Sequence, residues 1–293
     1  MEAGEDFSRA LARHPKYFDR TFVSLVKASE ATGTLAATLD RIAEYLRKEV
    51  ETRAKVRAAM AYPAVMMVMA TGVTIFLLTY ILPKFTPLFE SKGTELPGPT
   101  ILVITLSDGL LGYWYFWLAG AVGLVVSVIY AKRTAPGRRA IDWLRINTPI
   151  IGPMSRKVTI SRSIRTLGTM LQSGVPIMDA IKLAAEVSGN SYYEDLWKHV
   201  LDEVAGGKRI CEVLVGNPLF PRVLVQMIAS GEETGKLDNV LERVSVYYDR
   251  EVETSIKATT SMIEPIMIAI MGVVVGTIGL ALLLPIFSLS RQP

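Results

Sequence analysis

The sequence is poor in the residues that usually carry chemistry. It holds one cysteine, Cys211, and two histidines, His14 and His199, among 293 residues. A single thiol excludes an intrachain disulfide and suits soluble parts kept in a reducing compartment. The histidines lie far apart and read as surface residues. No glycine-rich phosphate loop is present, so the chain brings no nucleotide-driven motion of its own by that route. No nucleophile and base stand in a catalytic spacing, and no cofactor is implied. The first residues, Met1 to Leu11, carry Glu2, Glu5 and Asp6 without an apolar run, unlike a cleavable signal peptide. Strand patterns are nearly absent, which leaves an all-α chain.

Charge is missing in a more telling way. Three stretches contain no charged side chain: Ala58 to Pro83, Gly109 to Ala131 and Pro265 to Ser290. About 20 apolar residues cross a bilayer core as a helix, and a helix satisfies its own backbone there. The shorter uncharged run from Leu96 to Ser107 opens Leu-Pro-Gly-Pro and reads as surface. Elsewhere charge is plentiful. Charged residues make up 20% and hydrophobic ones 50%, with a mean hydropathy of +0.33. Soluble and membrane parts therefore alternate. The net charge of +4 reflects orientation rather than nucleic-acid binding. Lys48, Arg53, Lys55 and Arg57 precede the first span, and Lys132, Arg133, Arg138, Arg139 and Arg145 follow the second. The loop between them has Lys84 and Lys92 against Glu90, Glu95 and Asp108. By the positive-inside rule the N-terminal segment and the large segment before the third span are cytoplasmic, and the loop faces outward. Trp114, Tyr115 and Trp117 suit the outer interface.

The chain also repeats itself. A shift of 202 places Phe18 on Phe220, Glu30 on Glu232, Gly33 on Gly235, Leu35 on Leu237, Leu39 on Leu241 and Tyr45 on Tyr247. Glu49-Val50-Glu51-Thr52 falls on Glu251-Val252-Glu253-Thr254, Pro63 on Pro265, Pro83 on Pro285 and Phe85 on Phe287. At this shift Gly4 falls on Gly206. The expected order is a partial first module (1–57), a first span (58–83), an outer loop (84–108), a second span (109–131), a complete second module of six helices (132–264) and a third span (265–290). In the second module, Ile160, Ile164, Leu167 and Leu171 share a helical face, with Arg162 and Arg165 off it. Breaks follow at Gly174-Val175-Pro176, Ser188-Gly189-Asn190, Gly206-Gly207 and Asn217-Pro218. The last helix carries Leu237, Leu241, Val244 and Tyr248 on one stripe. The first module begins at the equivalent of Gly206, without the first three helices, and is expected to leave apolar faces uncovered.

Two strings recur at the joint before that last helix: Ser29-Glu30-Ala31-Thr32-Gly33-Thr34-Leu35 and Gly231-Glu232-Glu233-Thr234-Gly235-Lys236-Leu237. Gly235 suits the positive φ of a helix end, Thr234 the cap of the following helix, and Glu232 and Glu233 the positive end of that helix's dipole. One reading makes this only a joint. A second has one glutamate also meet a partner, with basic faces around Arg162, Arg165 and Lys182 as the alternative contact. Nothing supplies a second ligand set for a metal. Pro63 and Pro265 mark kinks or first turns at span entry.

Both strings resemble the Gly-Glu-x-Ser/Thr-Gly-x-Leu signature of the type II secretion F family, the inner-membrane platform proteins of type II secretion and type IV pilus systems. Leu171 to Pro176, the segment from Leu96-Pro97 to Ser107-Asp108, Glu264-Pro265 and Leu284-Pro285-Ile286-Phe287 are similar too, the last leaning towards pilus members. The first copy departs from the signature at Ser29. The resemblance implies an all-α integral membrane protein with three transmembrane helices and cytoplasmic helical-bundle modules in an internal repeat. It implies a bacterial inner-membrane assembly platform that catalyses no covalent step. The implied partners are a hexameric secretion-type ATPase, pilins or pseudopilins, inner-membrane alignment proteins, lipid and further copies of the chain. The rival class is a transporter or channel subunit. Such proteins place ionisable residues inside their spans, and these spans have none.

Overall fold

The computed structural model describes residues 6–18, 20–33, 35–81, 83–84 and 98–290. Among them are twelve α-helices and no strand. The helices are α1 (Phe7–Ala12), α2 (Arg20–Thr32), α3 (Leu35–Phe76), α4 (Gly98–Gly112), α5 (Trp114–Arg133), α6 (Ala135–Asn147), α7 (Gly152–Gln172), α8 (Ile177–Val187), α9 (Ser191–Ala205), α10 (Ile210–Leu214), α11 (Arg222–Glu233) and α12 (Leu237–Ser290). A π-helical turn, Leu77–Ile81, follows α3.

The chain divides into two units. The first comprises Met1–Arg57 and Ala135–Thr259. Its helices are amphipathic, and their apolar faces meet in one core around Ile160, Ile164, Leu167, Ile181, Tyr193, Trp197, Leu224 and Leu241. Breaks between helices fall at glycines in the left-handed region, such as Gly174 (φ +78°) and Gly207 (φ +90°), where a side chain would be strained. Asn190 opens α9 by accepting the Tyr192 N–H. Helix α6 precedes the six helices that periodicity delineates in this part of the chain. Its buried Asp142 accepts the Ser191 N–H at 2.9 Å, and its Arg138 and Arg139 pair with Glu194 and Asp195. Arginines that read from the sequence as orientation charges thus also dock a helix.

The first copy does not leave all its apolar surface bare. Leu11, Leu25, Val26 and Ile42 belong to the same core as the second module. Helix α3 lies on α7: the Tyr45 hydroxyl is 3.1 Å from Thr166 Oγ1, Arg41 donates to the Gln172 carbonyl, and Arg162 pairs with Glu49 at 3.1 Å. On another side of α3, Leu39, Leu46 and Val50 are exposed.

The second unit comprises Ala58–Thr134 and Thr260–Pro293. Three helices are long and apolar enough to cross a membrane, within Leu39–Ile81, Trp114–Arg133 and Leu237–Ala281. Their side chains are largely exposed in the chain by itself, as lipid-facing groups are. The run from Leu96 to Ser107 is not irregular surface. From Gly98 it is helix α4, with Val103 buried among Leu78, Ile278 and Ala281. An apolar stretch flanked by membrane helices gains more by packing than by exposure. The Ser107 hydroxyl donates to the Leu78 carbonyl at 2.6 Å, satisfying an acceptor in the π-helical turn. Tyr113 separates α4 from α5, so the second long apolar helix starts at Trp114 rather than Gly109. Residues 85–97 of the expected outer loop and the side chains of Leu284 to Phe287 lie outside what the structure describes.

Candidate functional site

The joint carrying the doubled motif is built the same way in both copies. Helices α2 and α11 start at Arg20 and Arg222, and α3 and α12 at Leu35 and Leu237, each pair 202 residues apart. Gly33 and Gly235 have φ of +70° and +66°. At the second joint the Gly235 N–H donates to the Glu232 carbonyl and the Lys236 N–H to the Gly231 carbonyl at 2.9 Å. That pair of bonds closes α11 as a Schellman motif, in which a left-handed residue satisfies the last carbonyls. Thr234 belongs to this closure. Its hydroxyl donates to the Ser230 carbonyl at 2.7 Å, so it finishes α11 instead of capping α12. Leu35 and Leu237 pack partly buried against the core.

The glutamates do something that chain order does not reveal. Glu232 turns away from the helix that follows it and reaches the one before. Its carboxylate accepts the N–H groups of Ile210 and Cys211, at 2.7 and 2.9 Å, at the start of α10. Glu30 does the same for Phe7 and Ser8 at the start of α1, at 2.5 and 3.1 Å. A helix start has unsatisfied donors and a positive dipole end, so a carboxylate there meets both needs. The contact with Ser8, followed by the backbone bonds, holds the Glu30 carboxyl below the usual glutamate range. In the second copy, burial pushes the Cys211 thiol up to about 11, with Glu232 beside it as a further cause. The equivalence also fixes the register. Phe7 matches Ile210, a shift of 203, so the first copy has one extra residue between this helix and Phe18. The pairing of Gly4 with Gly206 does not extend through that step, and Gly4 itself lies outside the described residues.

Glu233 is different. It is 64% exposed on its side chain and pairs with Arg209 at 3.4 Å. Gly231, by contrast, is closed in: a Cβ there would lie 3.1 Å from Val240 Cβ and 3.2 Å from Leu237 Cα. Its counterpart Ser29 is buried and donates to the Val26 carbonyl at 2.8 Å. The departure of the first copy from the motif is therefore accommodated by its own packing. Pro63 and Pro265 lie well inside α3 and α12, so neither opens a helix.

The basic faces that offered the alternative contact are mostly engaged. Arg165 is buried and pairs with Asp249, which also accepts from Ser161 at 3.0 Å. Arg162 pairs with Glu49, and Lys157 with Glu251 at 2.7 Å. The two copies of the Glu-Val-Glu-Thr string thus hold α7 from two sides, which the repeat alone did not show. Lys182 remains exposed. Among the described residues, no group of three or more His, Cys, Asp or Glu is placed to hold a metal.

The family model of the type II secretion system (T2SS), protein F, matches residues 1–83 and 163–285. The two matches end 202 residues apart and coincide with the two copies. The type IV pilus assembly protein PilC of Myxococcus xanthus is 40% identical over 290 residues, covering 99% of this chain and 70% of that protein. The type IV pilus assembly protein PilC of Thermus thermophilus is 40% identical, covering 99% and 71%. The type II secretion system protein F of Aeromonas hydrophila is 33% identical, covering 99% and 74%. With the family model matched twice and these relatives aligned along nearly its whole length, the chain belongs to the type II secretion system protein F family.

Proposed function

We propose that this protein is the inner-membrane assembly platform of a type IV pilus or type II secretion machine, and that it couples a cytoplasmic secretion ATPase to the assembly of pilins or pseudopilins. One observation carries the reading. Each family match ends in a long helix, α3 or α12, that runs from the helical unit into an apolar stretch able to cross a membrane. A helix is stiff along its axis, so a push on the joint is delivered to the bilayer segment. The protein transmits movement and makes no covalent bond. The basic flanks support a cytoplasmic first unit, which leaves the exposed Glu233 available to a motor. Inner-membrane alignment proteins and further copies of the chain complete the assembly.

The test is made in cells of the source organism lacking this chain. Loss of surface fibres, or of secreted substrates, restored by the wild-type chain, is the expected result. Normal fibres and normal secretion without it overturn the proposal. The coupling is read separately. Glu233→Lys is expected to reduce co-purification of the ATPase while leaving the melting temperature unchanged. Unchanged ATPase recovery removes Glu233 from the contact.

A further inference from the structure

Helix α4 sits at one level of the second unit, and its neighbours mark that level. Val103 is buried among Leu78 of the π-helical turn and Ile278 and Ala281 of α12. At the shift of 202, Ile278 and Ala281 are the twins of Phe76 and Thr79, so α4 meets both copies at the same depth. Leu78 stands six residues before Lys84, the first charge beyond the span, or about 9 Å along a helix axis. The Lys84 ammonium lies 3.9 Å from the centre of the Tyr80 ring. Basic and aromatic side chains of this kind gather at the membrane–water boundary. Trp114, Tyr115 and Trp117, just after α4, are exposed and mark the same boundary on α5. The Leu78 carbonyl takes its hydrogen bond from Ser107 of α4, as a group out of reach of water must. Helix α4 has 15 residues, about 22 Å, too short to cross a core of about 30 Å. Its one charged residue is Asp108, which would be costly at the bilayer centre.

We infer that α4 is an interfacial helix, sunk into the leaflet where α3 ends and lying along it rather than across it, with lipid acyl chains as its partner. The partner follows from continuity. Leu78, Ile278 and Ala281 belong to helices long and apolar enough to cross a membrane, and a helix packed beside them near the boundary shares their solvent. Val103 and Ser107 are turned to these helices, while Ile101, on the opposite side, is 51% exposed. An interfacial helix buries its apolar side about 5–10 Å deep, which is the depth of Leu78 below Lys84. There α4 clasps two equivalent helices at one level. It has this place only if the apolar helices are spans, which the experiment checks separately.

Two single-cysteine chains serve as probes, Ile101→Cys and Val122→Cys, each with Cys211→Ser and labelled with an environment-sensitive fluorophore. Val122 is exposed in the middle of α5 and reports a span. The full chain is reconstituted in phosphatidylethanolamine–phosphatidylglycerol vesicles carrying a nitroxide either near the headgroup or near the acyl-chain end. At Ile101→Cys the shallow nitroxide is expected to quench about twofold more than the deep one, and at Val122→Cys the order reverses. Aqueous iodide should quench both labels weakly beside the free fluorophore. Strong iodide quenching at Ile101→Cys places α4 in water. A preference there for the deep nitroxide makes α4 part of a span, and no quenching by either nitroxide means that protein covers it. Each of these results overturns the inference. If Val122→Cys loses its preference for the deep nitroxide, the spans themselves fail, and the place of α4 fails with them.

Discussion

The two glutamate joints are close in sequence and nearly identical in geometry, yet their surroundings differ. In the second copy the joint stands over a core closed by α7, α8 and α9, and Gly231 is hemmed in by Val240 and Leu237. In the first, Ser29 fills the equivalent position, and α3 shows an apolar stripe to the outside. The joint is therefore a local device. It needs a glycine with positive φ, a carboxylate and a short helix to cap, and it forms in both copies. The cover over the long helix is a separate matter, decided by what packs on it.

This comparison is broken most forcefully at the glycines. Gly235→Val puts a β-branched residue at positive φ and is expected to cost about 1–3 kcal/mol. Gly33→Val should cost as much, because the strain lies in the backbone and not in the neighbours. Thermal melting of the full chain in detergent compares them, and a harmless Gly33→Val would show that the two joints are not equivalent. Gly231→Ser comes next. It must push Val240 or the α12 backbone aside, at about 1–3 kcal/mol. The reciprocal Ser29→Gly should cost less, since it removes one local hydrogen bond and adds no clash.

The glutamates follow. Glu232→Ala leaves two N–H groups of α10 without their charged acceptor, and about 1–2 kcal/mol is expected from the same melting series. Glu30→Gln destabilises in the same direction and adds a pH signature. Its carboxyl sits below the ordinary value of about 4.3. Its contribution is therefore complete above that value and disappears as pH falls through the depressed one. Wild type and Glu30→Gln should differ at neutral pH and converge in acid, and a constant difference down the titration would contradict the contact. The smallest effect belongs to Cys211. Buried and with its thiol raised to about 11, it should resist a thiol reagent in the folded chain and react only after denaturation. Cys211→Ser, which copies Ser8 of the first module, should shift stability by less than about 1 kcal/mol. That silence makes single-cysteine topology mapping feasible. Ser91→Cys is expected to label from outside intact spheroplasts, and Lys182→Cys only after permeabilisation.

Much of this organisation is legible because it rests on local rules. Charge-free runs of helix length, glycines at helix ends and the recurrence of Glu30, Gly33 and Leu35 at Glu232, Gly235 and Leu237 need no neighbours to be read. The differences between sequence and structure share one cause. Sequence assigns Glu232 to the helix after it, because it shows only which helix is near along the chain. In space the start of α10 is nearer. Thr234 goes to α12 for the same reason, although its hydroxyl closes α11. Arg162 and Arg165 look like free surface, because a basic residue off the apolar face of α7 gives no sign of the carboxylates waiting on α3 and α12. The stretch before Ser107 reads as surface from its prolines and glycine, while its apolar partners Leu78 and Ile278 lie far away along the chain.

The sequence by itself determined an all-α chain with three membrane-length apolar helices, a unit used twice and a joint with a glycine at its turn. These follow from hydrophobic periodicity, chain length and backbone sterics, which act within one segment. Only the tertiary structure decided which helix each glutamate caps, that α7 is gripped by both Glu-Val-Glu-Thr strings, and that Leu241 is buried while its twin Leu39 is not. Burial belongs to a pair of surfaces, and α7 meets α12 through the Leu241 stripe but α3 through Arg41, Tyr45 and Glu49.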